Sequence, residues 1–215
     1  MHSRSVANLL RRKDRILDAS LHLFNRQGID KVSARNICTQ IGISPGNFSY
    51  HYPDKDLIVA DLFDMMVREA ETALTAAASN DVTILTYLGA HKQLFLIQNK
   101  FKFFYLNLFE ILNRFPTIRS QFRKKTKAEA ELAHNLIQVY MNRGVLREDI
   151  PEDQVKRLIT VGQILNNAWL MDAEVQFTGN EKKKLRYYMA VCCGLLEPYL
   201  NQPSLAAYND YFANL

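Results

Sequence analysis

The chain has 215 residues, 48% of them apolar, and a formal net charge of +5. This length allows a sizeable core in one domain or two small ones. No apolar run is as long as the about 18 residues that a membrane-spanning helix needs. The amino terminus lacks the apolar core of a signal peptide. With only 8 Gly and 6 Pro, turns are few and the helices must be long. We therefore expect a cytoplasmic, all-α protein without membrane contact.

The positive charge is concentrated at one end of the chain. Residues 1–55 hold nine Lys or Arg against four Asp or Glu, whereas residues 56–215 hold eighteen of each. A basic amino-terminal module on a neutral body favours nucleic-acid binding, because phosphate contacts supply much of the affinity. The alternative is a solvated basic surface without a partner.

A long amphipathic helix is predicted over 6–26, with Gly28 at its end. Ile16, Leu17 and Phe24 recur on its inner face at helical spacing. Basic residues at or before its first turns are predicted to form a flexible arm that reaches the DNA backbone or a minor groove: Arg4, Arg11, Arg12 and Lys13.

The next stretch is typical of a helix-turn-helix. Ser33 is a candidate N-cap for a helix over 34–40, and Ile37 and Ile41 share one face of that helix. Gly42 is placed to end it in the left-handed conformation.

A second helix is predicted over 45–52. Ser44 and Pro45 supply an N-cap followed by proline at the first helical position. Phe48 and Tyr52 fall on its inward stripe. The residues left to face outward or sideways are small, hydrogen-bonding or amphipathic, as suits a helix that enters a major groove: Gly46, Asn47, Ser49, Tyr50 and His51.

Roles within this surface follow from side-chain chemistry. Asn47 is the best candidate for a base edge, because its amide pairs a donor with an acceptor. Arg35, Ser33 and Lys55 are candidates for phosphate contact. His51 either contacts DNA or closes the module against the fourth helix. The full predicted DNA-binding set is Ser33, Arg35, Ser44, Pro45, Gly46, Asn47, Ser49, Tyr50, His51 and Lys55.

The chain to this point resembles the amino-terminal pattern of the TetR (tetracycline-repressor-like) transcriptional regulators. The matching residues are Ile16, Leu17, Ala19, Leu23, Phe24, Gly28, Ser33, Ile37, Ile41, Gly42, Ser44, Gly46, Tyr50, His51, Lys55 and Leu57. Family members usually carry Tyr where this chain has Ser49, and Lys or a similar residue is common where it has Pro45. Operator affinity or geometry is therefore expected to differ from the family norm.

The resemblance implies a helix-turn-helix DNA-binding domain over 1–55 and a larger helical ligand-binding and dimerisation domain over 56–215. Further helices are predicted at 55–79, 82–99, 101–113, 116–143, 151–176, 181–201 and 205–212. The first of these leaves the module and enters the larger domain. In the family such a helix shifts when ligand binds, which changes the spacing of two recognition helices; this too is implied by the resemblance.

Aromatic residues cover nearly every side of the helix predicted at 101–113, which favours core packing over the lining of a cavity. Polar groups set in apolar stretches need partners, and these are either other protein groups or a ligand. The predicted ligand-binding set is Tyr87, His91, Phe104, Tyr105, His134, Asn166, Asn167 and Trp169.

No metal or other cofactor is expected. His91 and His134 lack a third ligand at useful spacing. Cys38, Cys192 and Cys193 lie on apolar helical stretches and are interpreted as small core residues in a reducing compartment.

The last two long helices carry wide apolar stripes. The first contains Val155, Leu158, Ile159, Gly162, Leu165, Ala168 and Trp169, and the second contains Leu185, Tyr188, Met189, Cys192, Leu196 and Tyr199. Such stripes could pack wholly inside the domain. The corresponding pair in the family forms a four-helix dimer interface, so the resemblance implies a homodimer through 151–176 and 181–201, which would bring two recognition helices to a palindromic operator.

No Gly-rich phosphate loop, nucleophile elbow or paired-carboxylate motif is present, so an enzyme is not expected. The predicted function is a dimeric one-component transcriptional regulator, a repressor that a small apolar or amphipathic ligand releases from its operator. Two alternatives remain. One is a protein-binding adaptor with weakened DNA binding, which Ser49 supports, and the other is a DNA-binding regulator that needs no ligand.

Overall fold

The structure is a computed structural model that describes the backbone of residues 2–77 and 82–215 and the side chains of residues 12–75 and 82–215. Its helices are α1 His2–Gln27, α2 Ala34–Ile41, α3 Pro45–His51, α4 Lys55–Ala77, α5 Ile84–Lys100, α6 Lys102–Leu106, α7 Leu108–Arg114, α8 Pro116–Asn142, α9 Glu152–Gln176, α10 Glu181–Cys193 and α11 Gln202–Asn214. A 3₁₀ helix occupies Gly194–Tyr199. Over the described ranges there is no strand, and the all-α prediction is confirmed.

Local hydrogen bonds account for both helices of the helix-turn-helix. Ser33 Oγ accepts a hydrogen bond from the Asn36 amide at 3.2 Å, and Asn36 Oδ1 accepts one from the Ser33 amide at 2.8 Å. Ser44 Oγ likewise accepts from the Asn47 amide at 3.3 Å. Gly42, with a φ of 68°, ends α2 in the left-handed region. Both predicted N-caps and the predicted glycine stop are thus confirmed.

The first three helices share one apolar cluster. Ile16 and Phe24 of α1, Ile37 of α2 and Phe48 of α3 are buried, as is Tyr52 immediately after α3. Each such side chain contributes about 1.5–3 kcal/mol when it is removed from water. This burial sets the angle between α2 and α3 and leaves the other side of α3 in solvent.

The fourth helix belongs to both parts of the molecule. Ile58 and Leu62, in its first half, are fully buried in the same apolar core as the residues of α1 and α3. Its second half packs along α5. A displacement of α4 is therefore felt by the helix-turn-helix and by the larger domain together.

Two predicted helices are each interrupted. The aromatic helix predicted at 101–113 divides into α6 and α7 at Asn107, whose Nδ2 donates to the Phe103 carbonyl oxygen at 2.7 Å. The helix predicted at 181–201 ends at Cys193 and continues as a 3₁₀ helix that contains Pro198. Proline has no amide hydrogen and its ring would meet a carbonyl of the preceding α-helical turn, which explains the second interruption.

The wide stripes of the last long helices lie partly inside the domain: six of their thirteen residues are buried and the other seven are half-buried. Val155 and Trp169 of α9 and Tyr188, Met189 and Cys192 of α10 are all buried. The buried members of the stripes therefore pack within the chain, and a homodimer through α9 and α10 stays a prediction. Different apolar residues of α9 and α10 remain in solvent. None of the helices within the described ranges has both the length and the apolar character that crossing a membrane requires.

Candidate nucleic-acid interface and ligand-binding residues

The exposed side of α3 is the candidate DNA-reading surface. Gly46 and Ser49 are exposed, Tyr50 is 73% exposed, and Asn47 is half-buried beside them. Phe48 points the other way into the core. A short helix with small and hydrogen-bonding groups on its free side has the shape and chemistry to enter a major groove.

The start of α2 supplies a cation beside this surface. Arg35 is exposed, and no ion pair or hydrogen bond of its side chain is found among the described residues. Ser33, next to it, uses its hydroxyl to cap α2 and also donates to Asn36 Oδ1 at 2.6 Å. Arg35 is therefore the freer of the two to meet a phosphate.

Lys55 makes hydrogen bonds within the module that the sequence did not predict. Its ammonium donates to the carbonyl oxygens of Ile29 at 2.8 Å and Val32 at 3.2 Å. Two of its three donors thus tie the start of α4 to the loop between α1 and α2. The lysine thus helps to hold the module together, and its predicted phosphate contact stays a prediction.

His51 lies half-buried at the end of α3, with its ring edge-on to Tyr50 at 5.3 Å between ring centres. Its Nε2 atom is buried without a hydrogen-bond partner, the one such side-chain atom in the part of the chain whose side chains are described. The enclosed nitrogen favours the alternative in which His51 closes the module.

The predicted basic arm is helical instead of extended. The backbone of α1 begins at His2, so Arg4 and Arg11 belong to a helix, although their side chains lie outside the described residues. Lys13 is paired with Asp61 at 2.8 Å and lies over the Tyr52 ring at 5.6 Å. An ammonium held in this way stabilises the module and is not available to a minor groove.

Two side chains that sequence reasoning missed join the module to the larger domain. Asn25 Nδ2 donates to the Lys100 carbonyl oxygen at 2.8 Å, and its Oδ1 accepts from the Phe103 amide at 2.9 Å. The available signal was its position directly after Phe24 on the inner face of α1. This one residue therefore caps the break between α5 and α6.

The second joining residue is Arg114, at the end of α7. Its guanidinium contacts Asp56 at 2.7 Å and Asp30 at 3.3 Å. No sequence motif marks this arginine. The two carboxylates lie at the start of α4 and in the loop before α2, so Arg114 connects α7 to both sides of the helix-turn-helix.

Of the predicted ligand-binding residues, Tyr87 and His91 stack on each other with ring centres 4.0 Å apart. His91 Nδ1 lies 3.0 Å from the Tyr87 carbonyl oxygen, and Tyr140 packs edge-on against Tyr87. Burial lowers the pKa of His91, and the hydrogen bond to the carbonyl offsets part of that effect. His91 is therefore a neutral imidazole at pH 7, packed with the rings of Tyr87 and Tyr140.

Phe104, Tyr105 and Trp169 are core residues. Phe104 is buried against Phe63 with 5.2 Å between ring centres, and Tyr105 packs against Phe104. Trp169 is 4% exposed, and its Nε1 donates to Gln98 Oε1 at 2.5 Å. The polar group of Trp169 is therefore satisfied by the protein. Gln98 was missed; its position directly after the apolar run 94–97 was the available signal.

His134 lies apart from the aromatic groups just described, and its role in ligand binding stays a prediction. Its Nε2 is 3.2 Å from Glu152 at the start of α9, in a surface pair. Asn166 and Asn167 are half-buried on α9, and the Asn166 carbonyl accepts from Gln98 Nε2 at 3.1 Å. Gln98 thus links Trp169 and Asn166, two members of the predicted set, whereas His134 pairs with Glu152.

A groove of about 770 Å³ runs between α4 and α5. Its lining combines apolar Met65, Ala73 and Ile97 with Arg68, Thr72 and Gln93. None of the eight predicted ligand-binding residues lines it. A groove of this size falls in the range that small-molecule sites occupy.

The thiols do not form a reactive site. Burial raises the pKa of Cys192 to about 11 and that of Cys193 further, which keeps both protonated at pH 7. All three cysteines are free and buried. Within the described ranges, no group of three His, Cys, Asp or Glu is placed to hold a metal ion.

These features define a helix-turn-helix DNA-binding regulator with a second, helical domain. Residues 16–62 match the family model described as bacterial regulatory proteins of the tetR family, and residues 65–208 match the model described as bacterial transcriptional repressor. The chain therefore belongs to the TetR family of bacterial transcriptional regulators, as the sequence resemblance predicted.

Similar proteins agree with this assignment. The chain is 28% identical over 155 residues to the HTH-type transcriptional repressor Rv1474c of Mycobacterium tuberculosis, covering 71% of this chain and 78% of that protein. A TetR-family regulator from Marinobacter aquaeolei superposes with a TM-score of 0.84 at 20% identity, covering 94% and 97% of the two chains. A TetR-family regulator from Agrobacterium tumefaciens gives 0.71 at 17% identity, covering 90% and 100%. The two structural likenesses show the shared fold.

Proposed function

We propose that this protein is a cytoplasmic, dimeric one-component repressor that leaves a palindromic operator when a small apolar or amphipathic ligand binds. The observation that carries the proposal is the free polar side of α3 on a capped helix-turn-helix, with Arg35 beside it. We place the DNA-binding domain at 1–55 and the ligand-binding and dimerisation domain at 56–215. We propose that the protein acts by binding DNA and ligand and not as an enzyme.

The dimer surface is assigned to the apolar stripe that α9 leaves in solvent. Val161, Ile164, Met171 and Val175 recur at spacings of three, seven and four residues, and Ile164 is 60% exposed. On α10, the exposed side chains of Tyr187 and Val191 add to this apolar surface. Contiguous apolar surface of this kind marks interfaces. Two copies related by a twofold axis would present two α3 helices about 34–36 Å apart to successive major grooves.

The effector is assigned to the groove between α4 and α5. Its mixed lining suits an amphipathic molecule, and α4 begins inside the DNA-binding module. Glu69, which also lines the groove, pairs with Lys100 at 2.6 Å, and the carbonyl of Lys100 is held by Asn25 of α1. A ligand that separates α4 from α5 therefore acts on a joint that already connects the two domains. Release requires that ligand and operator prefer different positions of this joint.

The first test is binding of the purified protein to the DNA upstream of its own gene, at several salt concentrations, beside a scrambled fragment. A preference of about a thousandfold or more, with two protomers per site, supports the proposal. Equal, weak binding to both fragments with a steep salt slope contradicts it for this DNA.

A charge change separates the regulator from the adaptor alternative, which the Ser49 departure from the family pattern favours. Arg35→Glu places a negative charge beside the DNA-reading surface and should abolish operator binding. Arg143→Glu, at an exposed position near the end of α8, is the matched control and should leave binding unchanged. If Arg35→Glu binds as the unchanged protein does, the adaptor is favoured. Specific operator binding that no small molecule releases would instead favour the ligand-independent regulator.

A further inference from the structure

A second concentration of positive charge lies outside the DNA-binding module. Residues 114–127 contain six Lys or Arg and no Asp or Glu, although the chain beyond residue 55 is neutral as a whole. Most of this segment forms the first half of α8. The charge is therefore carried on a rigid helix and not on a loop.

Two of the six cations are already paired. Arg114 contacts Asp30 and Asp56, and Lys125 contacts Glu129 at 2.5 Å. The remaining four are exposed and constitute what we call the α8 basic face: Arg119, Arg123, Lys124 and Lys127.

The α8 basic face has little internal neutralisation. For Arg119, Arg123 and Lys124, the described residues provide no acidic partner. Lys127 approaches Glu131 at 3.9 Å, with both side chains largely in water. A pair of that kind contributes about 0–1 kcal/mol and leaves the cation available to another anion.

Helix geometry places the four cations on one side of α8. At 100° per residue they fall within an arc of about 140°, and Arg119 and Lys127 are about 12 Å apart along the axis. Ile118 is buried and Phe122 half-buried on the opposite side, against the core. The basic face therefore looks into solvent.

Its position relative to the DNA-binding module follows from Arg114. That guanidinium lies 2.7 Å from Asp56, which is five residues beyond the end of α3. Because α8 begins at Pro116, two residues after Arg114, its basic first turns start beside the module. Arg119 lies about 4.5 Å along the axis from Pro116, and Arg123 about 10 Å.

We propose that the α8 basic face binds phosphates of the DNA that flanks the operator, beyond the base pairs that α3 reads. This rests on the proposed function, since it takes the helix-turn-helix to be engaged on DNA. The contact is electrostatic and independent of sequence, so it increases affinity without altering which operator is chosen.

A membrane surface fits the same face less well. Peripheral membrane helices need large apolar side chains beside their cations. Among the described residues, none of the exposed large apolar side chains lies between Phe109 and Leu132. Exposed polar residues, including Ser120 and Gln121, accompany the cations instead. A purely ionic, polar face beside a DNA-binding module favours the DNA backbone.

The test compares the full-length protein with an Arg119→Gln/Arg123→Gln variant. Arg143→Gln/Lys183→Gln removes the same charge from exposed positions elsewhere and serves as the control. Each protein is titrated with two operator fragments at several salt concentrations. One fragment ends with the operator, and the other continues for about 10 base pairs, one helical turn, on each side.

The unchanged protein and the control should bind the longer fragment more tightly and with a steeper salt dependence. The Arg119→Gln/Arg123→Gln variant should show no such gain, and its slope of log K against log salt should be shallower by about 0.9 for each phosphate that it no longer neutralises. Its preference for operator over scrambled DNA should stay the same. Unchanged circular dichroism and melting temperature would show that the variant is folded.

The inference is overturned if the variant keeps both the gain with fragment length and the salt slope. It is also overturned if the variant loses binding to vesicles of anionic phospholipid while its DNA binding is unchanged. A protein that prefers no fragment contradicts the proposed function instead. In that case the salt dependence of binding to long non-operator DNA still tests the inference. Equal slopes of log K against log salt for the unchanged protein and the variant overturn it, and a shallower slope for the variant supports it.

Discussion

The hydroxyl of Tyr52 donates a hydrogen bond of 2.7 Å to Asp61, and Lys13 pairs with the same carboxylate oxygen at 2.8 Å. Tyr52 follows α3, Asp61 lies on α4 and Lys13 lies on α1, so three helices meet at one carboxylate. The ring of Tyr52 is buried at the same time. The orientation of α3 therefore depends on a polar contact as well as on apolar packing.

Replacing Tyr52 with Phe tests this contact. The substitution keeps the ring and removes one hydrogen bond to a charged acceptor, so the free energy of unfolding should fall by about 1.5–3 kcal/mol. Chemical denaturation measures the change. Tyr50→Phe, at a residue that is 73% exposed, is the control and should have little effect. Equal stability of the two variants would show that the Tyr52 hydroxyl is dispensable.

The contacts of Lys13 and Tyr52 with Asp61 also predict that stability depends on pH. Burial raises the pKa of Asp61, but hydrogen bonds from Lys13 and Tyr52 outweigh burial and hold it below the ordinary value of 3.8. A carboxylate with a lowered folded pKa contributes stability that is complete above its unfolded pKa and is lost as the pH falls through the folded pKa. Asp61→Asn should therefore be less stable than the unchanged protein at pH 7, and the difference should shrink below about pH 4. Unfolding curves from pH 7 to pH 3 check this, and a constant difference would contradict it.

Asn25 should matter more than its position on a helix surface suggests. Asn25→Ala removes two hydrogen bonds to the α5–α6 break and leaves the Lys100 carbonyl and the Phe103 amide without that partner. We expect a loss of about 1–3 kcal/mol in the free energy of unfolding. Faster amide exchange at Phe103 would locate the effect. Asn113→Ala, at an exposed position on α7, is the control. An equally small change in stability for both variants would show that the contact of Asn25 with the α5–α6 break contributes little.

Trp169 is the single tryptophan of the chain and reports on its own environment. It stacks on Phe95 at 4.6 Å between ring centres and donates to Gln98. Gln98→Leu should leave the indole N–H unpaired in the core and cost about 1–3 kcal/mol of stability. The fluorescence emission of Trp169 in the folded protein should also change in this variant. Gln93→Leu, on the exposed side of α5, should change neither property.

The exposed stripe on α9 predicts how the proposed dimer can be broken. Ile164→Lys/Met171→Lys places two charges in the assigned interface and should convert the protein to a folded monomer with weaker operator binding. Sedimentation or light scattering measures the mass. The matched control is Leu132→Lys/Leu136→Lys, at two exposed apolar positions on α8. A dimer that survives the α9 substitutions but not the α8 substitutions would move the interface to α8.

The sequence by itself determined the helix-turn-helix. Ser33, Gly42 and Ser44 act through hydrogen bonds and backbone angles within a few residues of themselves, so their effects are visible in a short window of sequence. Helical periodicity likewise identified the buried residues of α1 and α2, because one face of each helix must pack against its neighbours. The same local signals carried the family resemblance.

The tertiary structure decided which partner each polar side chain found. Lys55 binds the carbonyls of Ile29 and Val32, more than twenty residues away, and Trp169 binds Gln98 across the core. No local pattern encodes these pairs, because they depend on how the helices approach one another. The same reason explains α9, where apolar side chains occur on both sides of the helix. Packing against α6, α8 and α10 determined which of them stayed in solvent.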